Sequence, residues 1–403
     1  MSETKKYHIC VITGTRAEYG LLRELLFKLR KDQRIDLGLV VTGSHLSDAF
    51  GKTEDEIIGD GFKDYIKVPI PMDDDSKEGM AYSAGVALQK FAELFKNYKP
   101  DVLIVLGDRF EIFAAVSAAH LIGISVAHIS GGDVTEGAVD DAIRHCLTKM
   151  SCLHFPGCEQ SAKRIIQMGE QPDRVFNVGE LGVENCLNMK ILSRKELSKS
   201  IGFDKVLDHY CVVTFHPVTM EADTAKSQVY ELIGAMDAQQ SMSYIITMAN
   251  ADAGGRAIND IWIKEGKKRS NWLIVTSLGV LRYLSVVKYA RLVIGNSSSG
   301  VIEAPSMGTP TINIGDRQKG RMMAESVICC EPDKSCIADA MKKALTHDFQ
   351  EKAKRVKSPF GNGTASKQIV DIIIDYLNNK GQTNEKRFYD INFHYSRGNG
   401  WVI

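Results

Sequence analysis

Short, unbroken apolar runs recur along this chain, and each closes on a glycine or a small polar residue before an amphipathic stretch begins. "YHICVIT" leads into Gly14, "DLGLVVTG" ends at Gly43, "DVLIVLGD" ends at Gly107-Asp108, and "ISVAHISGGD" ends at Gly131-Gly132. A strand with one solvated face alternates apolar and polar side chains. These runs do not alternate, which is the pattern of parallel strands covered on both faces. The stretches between them read as helices. Residues 17–30 carry Leu21, Leu22, Leu25, Leu26 and Leu29 along one stripe, and a longer helical pattern over 77–98 stops at Pro100. Repeated β-α-β units of this kind build a doubly wound sheet.

The pattern resets after about residue 187. A polar, charged stretch, "NMKILSRKELSKSIGFDKVLDHY", reads as a linker with a bridging helix. A second series of strands follows: "YCVVTF", "SYIITMA", "NWLIVTS", "ARLVIG" and "TPTINIG". The 403 residues also exceed what one core comfortably serves. The chain therefore reads as α/β, with two tandem Rossmann-like domains and a cleft between them. Residues 1–187 form the first domain, 188–378 the second, and 379–403 a tail with no assignable period.

Composition narrows the function. Lys plus Arg equals Asp plus Glu at 50 each, and this balance argues against a nucleic-acid partner. No run of about 18 apolar residues occurs, so no membrane span is expected. Nine cysteines, an odd number without a C-x-x-C pair, read as reduced thiols of a cytoplasmic protein. Cys10 and Cys211 lie inside apolar runs and serve as small hydrophobes.

In such sheets ligands bind beyond the carboxyl ends of the strands. After the first strand, "GTRAEYG" has one turn glycine and sets Arg16 where a dinucleotide fingerprint carries a second; "GSHL" sets His45 at the next strand end. "LGDRFE" places Asp108 and Arg109 directly after a strand, where Asp108 reads either as a helix cap or as a chemical group. "HISGGDVTEGAVDDAIRH" crowds Asp133, Glu136, Asp140 and Asp141 around a double glycine, with Arg144 and His145 a turn further on. Carboxylates brought close raise one another's pKa and keep a proton available near neutrality. No D-x-D-x-D-G loop is present, and no metal is expected. In the second half, His216 precedes Pro217 at a strand end. "GNSSSGVIEAP" puts Ser297 and Ser298 at a strand-helix junction, an anion site in the making, with Glu303 one turn on and Arg317 beyond. Asn250 and Asp252 follow another strand.

Taken in order, "GTRAEYG", "GSHL", "GDRFE", "HISGGD…DDAIRH", "HPVT", "NADAG", "GNSSSGVIEAP" and "GTPTINIGDRQKGR" resemble the hydrolysing UDP-N-acetylglucosamine 2-epimerases, over residues 7 to 378. The resemblance implies a GT-B type pair of Rossmann-like domains and no cofactor. It implies a UDP-sugar as the small-molecule partner, and a homodimer. The implied reaction turns UDP-N-acetylglucosamine and water into N-acetylmannosamine and UDP through a 2-acetamidoglycal, feeding sialic acid synthesis. Similar enzymes perform it on UDP-N,N'-diacetylbacillosamine toward legionaminic acid. A UDP-sugar glycosyltransferase of the same fold is the reading from another class. The resemblance makes Asp108 and Asp140 acid/base carboxylates and puts His216 close to the leaving phosphate. It makes Arg16, Arg109, Ser297 and Ser298 diphosphate contacts, Glu303 the ribose ligand and Arg317 a nucleotide contact. His45, Arg144, Asn250 and Asp252 join them on the substrate side. One departure stands out: several members carry glutamate where this chain has Ser130, which leaves Asp133 to take over that carboxylate's work or changes the proton path.

Overall fold

A computed structural model describes residues 6–47, 53–74, 76–135, 139–217, 224–239, 241–249, 255–379 and 386–392. The first sheet comprises β1 (Tyr7–Thr13), β2 (Ile35–Thr42), β3 (Ile66–Val68), β4 (Val102–Leu106), β5 (Val126–Ile129) and β6 (Leu153–Phe155). The second comprises β7 (Tyr210–Thr214), β8 (Ser243–Thr247), β9 (Trp272–Val275), β10 (Leu292–Gly295), β11 (Thr311–Ile314) and β12 (Val327–Cys330). Their orders are β3-β2-β1-β4-β5-β6 and β12-β11-β10-β7-β8-β9. Every pairing is parallel. Counted within each unit, both follow the 3-2-1-4-5-6 order of the Rossmann fold, as the apolar runs predict. β1, β2, β4, β5, β7, β8, β9, β10 and β11 coincide with runs picked out from the sequence. β3, β6 and β12 do not, and all three are edge strands of three or four residues.

Two cores flank the first sheet. Ile9, Val11, Val102 and Ile104 pack with Leu22, Leu25 and Leu26 of helix Arg16–Lys31 on one face. Cys10, Ile12, Leu103 and Val105 pack with Phe91, Phe95 and Val116 on the other. Adjacent strand residues thus serve opposite cores, which is why the runs have no polar face. All nine cysteines are unpaired, and Cys10 and Cys211 are buried. Among the described residues no helix is long and apolar enough to cross a membrane.

The sequence reading puts the helix Ala365–Asn378 with the second unit. Its Ile369, Ile373, Ile374 and Leu377 lie in the core of the first sheet. An amphipathic stripe says that a helix covers a face, not which face. The chain crosses between units twice, and the crossings touch. Gly179 and Gly361 both have positive φ, +83° and +104°, and a Cβ on either would sit 2.7 Å from the other's Cα. Only glycine allows that approach. Beside them Glu180 N–H donates to the Phe360 carbonyl at 2.8 Å. Helix Leu181–Asn188 then packs against helices from both halves: Arg16–Lys31 and Ala365–Asn378 on one side and Ser298–Ser306 on the other. Its buried Glu184 accepts from Ser366 N–H at 2.7 Å and pairs with Lys28 at 3.0 Å.

Part of the tail is docked. Lys386 Nζ donates to the carbonyls of Lys149 and Ser151, both at 2.6 Å, and meets Glu170 at 2.7 Å. An ammonium group thus covers carbonyls at the carboxyl end of helix Val139–Met150, where the helix dipole favours it.

Candidate active site

The first lip is built on the turns after β1, β4 and β5. Thr15 caps helix Arg16–Lys31. Its hydroxyl accepts from Glu18 N–H at 3.2 Å, while the Glu18 carboxylate accepts from Thr15 N–H at 3.0 Å and Gly14 N–H at 2.7 Å. This is a capping box, and T-x-x-E in "GTRAEYG" spells it. Glu111 lies against the same turn, its Oε1 2.7 Å from where a Gly14 Cβ would be. Burial, then Glu111, push the Glu18 carboxyl up to about 8. Glu18 Oε1 and Glu111 Oε2 have no hydrogen-bond partner. Arg109 Nε donates to Glu111 at 2.7 Å.

After β4, Gly107 turns the chain at φ +79° and Asp108 meets the Arg144 guanidinium. The cap position of helix Phe110–Ile122 is Arg109, without a side-chain cap bond, so Asp108 is not spent on capping. Arg144 is buried and fully engaged. It donates to the Asp133 carbonyl at 2.9 Å and Thr135 Oγ1 at 3.1 Å, and lies 3.5 Å from Asp141. Asp133 accepts from Ser161 Oγ at 2.6 Å. From the second unit, Arg321 reaches Asp133 at 3.5 Å and Thr135 at 3.4 Å. Arg164 bridges the same gap from the other side, donating to Gly132 at 3.4 Å and Gly320 at 2.7 Å.

The second lip follows β7 and β10. Asn296 clamps the backbone of His216 reciprocally: its Oδ1 accepts from His216 N–H at 2.7 Å and its Nδ2 donates to the His216 carbonyl at 2.8 Å. The Asn296 carbonyl takes Arg317 at 3.1 Å and Gln318 at 2.9 Å. Burial, aided by Arg317, pushes His216 down to about 3, so its ring is neutral, and Nδ1 is buried without a partner. Ser297 caps helix Ser298–Ser306, accepting from Ser299 N–H at 3.4 Å. One turn on, Glu303 is held against Gly182 and raised by burial. A cleft of roughly 300 Å³ joins the halves, lined by Arg16 and Gly20 on one side and His216, Ser297, Ser298 and Arg317 on the other.

A family model described as UDP-N-acetylglucosamine 2-epimerase matches residues 27–374. The chain belongs to that family. It is 38% identical to the "GDP/UDP-N,N'-diacetylbacillosamine 2-epimerase (hydrolyzing)" of Campylobacter jejuni, over 86% of this chain and 89% of the relative. It is equally 38% identical to the polysialic acid biosynthesis protein P7 of Escherichia coli, over 95% and 97% of the two chains. The Neisseria meningitidis UDP-GlcNAc 2-epimerase bound to UDP-GlcNAc shares the fold at a TM-score of 0.77 and 19% identity, over 91% of this chain and all of that one.

Within this family member the site residues separate into groups. Arg16, His216, Ser297, Ser298, Glu303 and Arg317 come together on one cleft. Asp108, Asp133 and Arg144 form a second cluster on the first lip, and Asp140 stands exposed on the first turn of the helix that carries Arg144. His45 has no solvent-exposed surface. Its ring nitrogens meet Thr13 at 3.0 Å and Thr53 at 2.8 Å, and burial pushes it down to about 4. It braces the turn after β1 from beneath. Asn250, Asp252 and Glu136 lie outside the described residues. Three residues at the site receive no role from the sequence, Tyr283 and Glu180 outside every motif and Gln318 inside "GTPTINIGDRQKGR". Tyr283 lines the cleft with its hydroxyl 2.6 Å from Ser299 Oγ, and Gln318 supports Asn296. Glu180 takes the Ser130 hydroxyl at 2.8 Å. Only the neighbouring "NVG" turn hints that position 180 comes near a strand end.

Proposed function

We propose that this chain is a hydrolysing 2-epimerase of a UDP-linked 2-acetamido sugar, taking UDP-N-acetylglucosamine and water to N-acetylmannosamine and UDP in the cytoplasm, on the way to sialic acid, as a homodimer. The carrying observation is a nucleotide-type cleft lined by Arg16, His216, Ser297, Ser298, Glu303 and Arg317, together with a separate carboxylate cluster around Asp108, Asp133 and Arg144 on the first lip that Arg321 of the second unit reaches. In this reading a carboxylate among Asp108, Asp133 and Asp140 takes the proton from carbon 2 as the bond from carbon 1 to the diphosphate breaks. That leaves a glycal. Water then supplies hydroxyl to carbon 1, and a second carboxylate returns a proton to carbon 2 on the opposite face. Oxidation level is unchanged and no redox cofactor enters.

Arg16 and Arg317, with the hydroxyls and helix N–H groups at Ser297 and Ser298, hold the departing diphosphate. Glu303 takes the ribose. His216, neutral, serves as a hydrogen-bonding group rather than a cation, so the positive charge at the leaving group comes from the arginines. Arg144 orients Asp108 and the Asp133 backbone instead of touching nucleotide. Asn250 and Asp252, assigned to the substrate by resemblance, lie outside the described residues.

A second reading keeps the reaction and changes the sugar to UDP-N,N'-diacetylbacillosamine, for legionaminic acid synthesis. The Campylobacter jejuni relative's name favours it. Both sugars are incubated with the protein in deuterated water and the products read by NMR. The expected result is a free 2-epimer carrying deuterium at carbon 2, with UDP released in the absence of any acceptor, from one sugar in preference to the other. UDP release only when an acceptor is added would replace this reading with a glycosyltransferase.

A further inference from the structure

Ser130 is the one non-glycine residue with positive φ among the described residues, at +60°. Such strain persists where surrounding contacts insist on it. Here the contact is its hydroxyl, which donates to Glu180 Oε2 at 2.8 Å across 50 residues of sequence. Glu180 is buried, and room for its carboxylate exists because residue 157 is glycine: a Cβ there would lie 1.9 Å from Glu180 Oε1. Both features place a carboxylate beside the residue that lacks one.

We propose that Glu180 is a positioning residue that carries the single proton of a Glu180–Asp133 pair, leaving Asp133 as the anionic member. The inference rests on the reading of Asp133 as an acid/base carboxylate. Asp133 has what an anion needs: the Ser161 hydroxyl at 2.6 Å and the Arg321 guanidinium at 3.5 Å. Glu180 has one hydroxyl donor and deep burial. The charges acting on it are Asp133 and Glu303, which disfavour ionisation, and Arg321, which favours it. Burial, then Asp133, raise its carboxyl to about 7. Above that pH a second buried anion joins Asp133 at the turn after β5, where Ser130 holds it.

Two measurements test this. Infrared difference spectra between the wild type and Glu180→Gln at pH 6 read the carbonyl band of a protonated carboxyl group directly. A Glu180-dependent band that disappears above pH 7 to 8 is expected; no such band at pH 6 would overturn the proposal. The second is the pH profile of kcat/KM with whichever UDP-sugar turns over. The wild type is expected to fall about threefold to tenfold through the ionisation, the size of a charge acting roughly 10 Å away at intermediate dielectric. Glu180→Gln, locked neutral, gives a profile without that fall, and an unchanged fall would overturn the proposal. Ser130→Ala removes the donor that stabilises ionised Glu180, so the break moves to higher pH; a break that stays in place also counts against it. The infrared result stands whether or not either sugar is a substrate, so failure of the functional reading and failure of this one are distinguishable.

Discussion

Single side chains at this site are defined by partners far away in sequence. Asp108 reads equally well as a helix cap or as a chemical group until Arg144, 36 residues later, is seen to hold it. His216 is a group close to the leaving phosphate in the resemblance, and only the fold shows that burial and Arg317 hold it neutral. These placements sharpen what Asp108→Asn does. Proton transfer by one positioned group is worth on the order of 10²–10⁴ in rate, so kcat drops by that much while UDP affinity, measured by calorimetry, stays close to wild type. Parallel loss of UDP binding would mean that Asp108 acts by shaping the lip through Arg144. The motifs "GDRFE" and "HISGGD" single out Asp108 and Asp133, and the fold joins the two through Arg144. Their pairing was invisible because hydrogen-bond partners across a sheet leave no periodic trace.

At the level of elements, the central strands and the edge strand β9 announce themselves, and the edges β3, β6 and β12 do not. β4, with five buried residues, cannot be mistaken, whereas β12 is only partly buried and runs for four residues. Helix Ala365–Asn378 was legible as an amphipathic helix, but its target was not. Its burial in the first core makes a prediction with a location. Ile373→Ala removes a fully buried side chain and should cost about 2–5 kcal/mol in denaturant unfolding, with hydrogen-exchange protection lost first in β1 and β2 rather than in β7. Loss centred on β7 and β8 would show that this helix serves the second unit after all. The capping box at Thr15 was spelled out in four letters, and it explains why Glu18 sits beneath the loop instead of pointing into the cleft.

For the whole molecule, two buried carboxyls contribute to the pH response around neutrality. Glu18 and Glu180 are raised to about 8 and about 7 from an ordinary 4.5. The native state therefore holds these protons more tightly than the unfolded chain. Their contribution to stability is fully present below about pH 4.5 and is lost as pH rises through 7 to 8. The expected observation is a Tm that declines between pH 6 and pH 9, with Glu18→Gln giving a shallower decline. An identical slope in that variant would show that Glu18 is ionised in the native protein. The same scale holds the contacts of Arg321 and Arg164 across the cleft, which tie the double-glycine turn of one unit to the loop after β11 of the other.

The order of apolar runs and turn residues was enough to determine two doubly wound sheets, their parallel strands and the strand ends at which a ligand must lie, because burial on both faces and the rule of carboxyl-end binding act locally and repeat. Tertiary structure alone decided which carboxylate faces which. The opening turn shows both sides. Its T-x-x-E cap and displaced glycine were written in the sequence, while the pressure of Glu111 on Gly14 was not. The substitution of Ser130 looked like a missing carboxylate. Folding brings Glu180 to it from the crossing between the domains, since a proton site needs only proximity in space and burial, neither of which has a period along the chain.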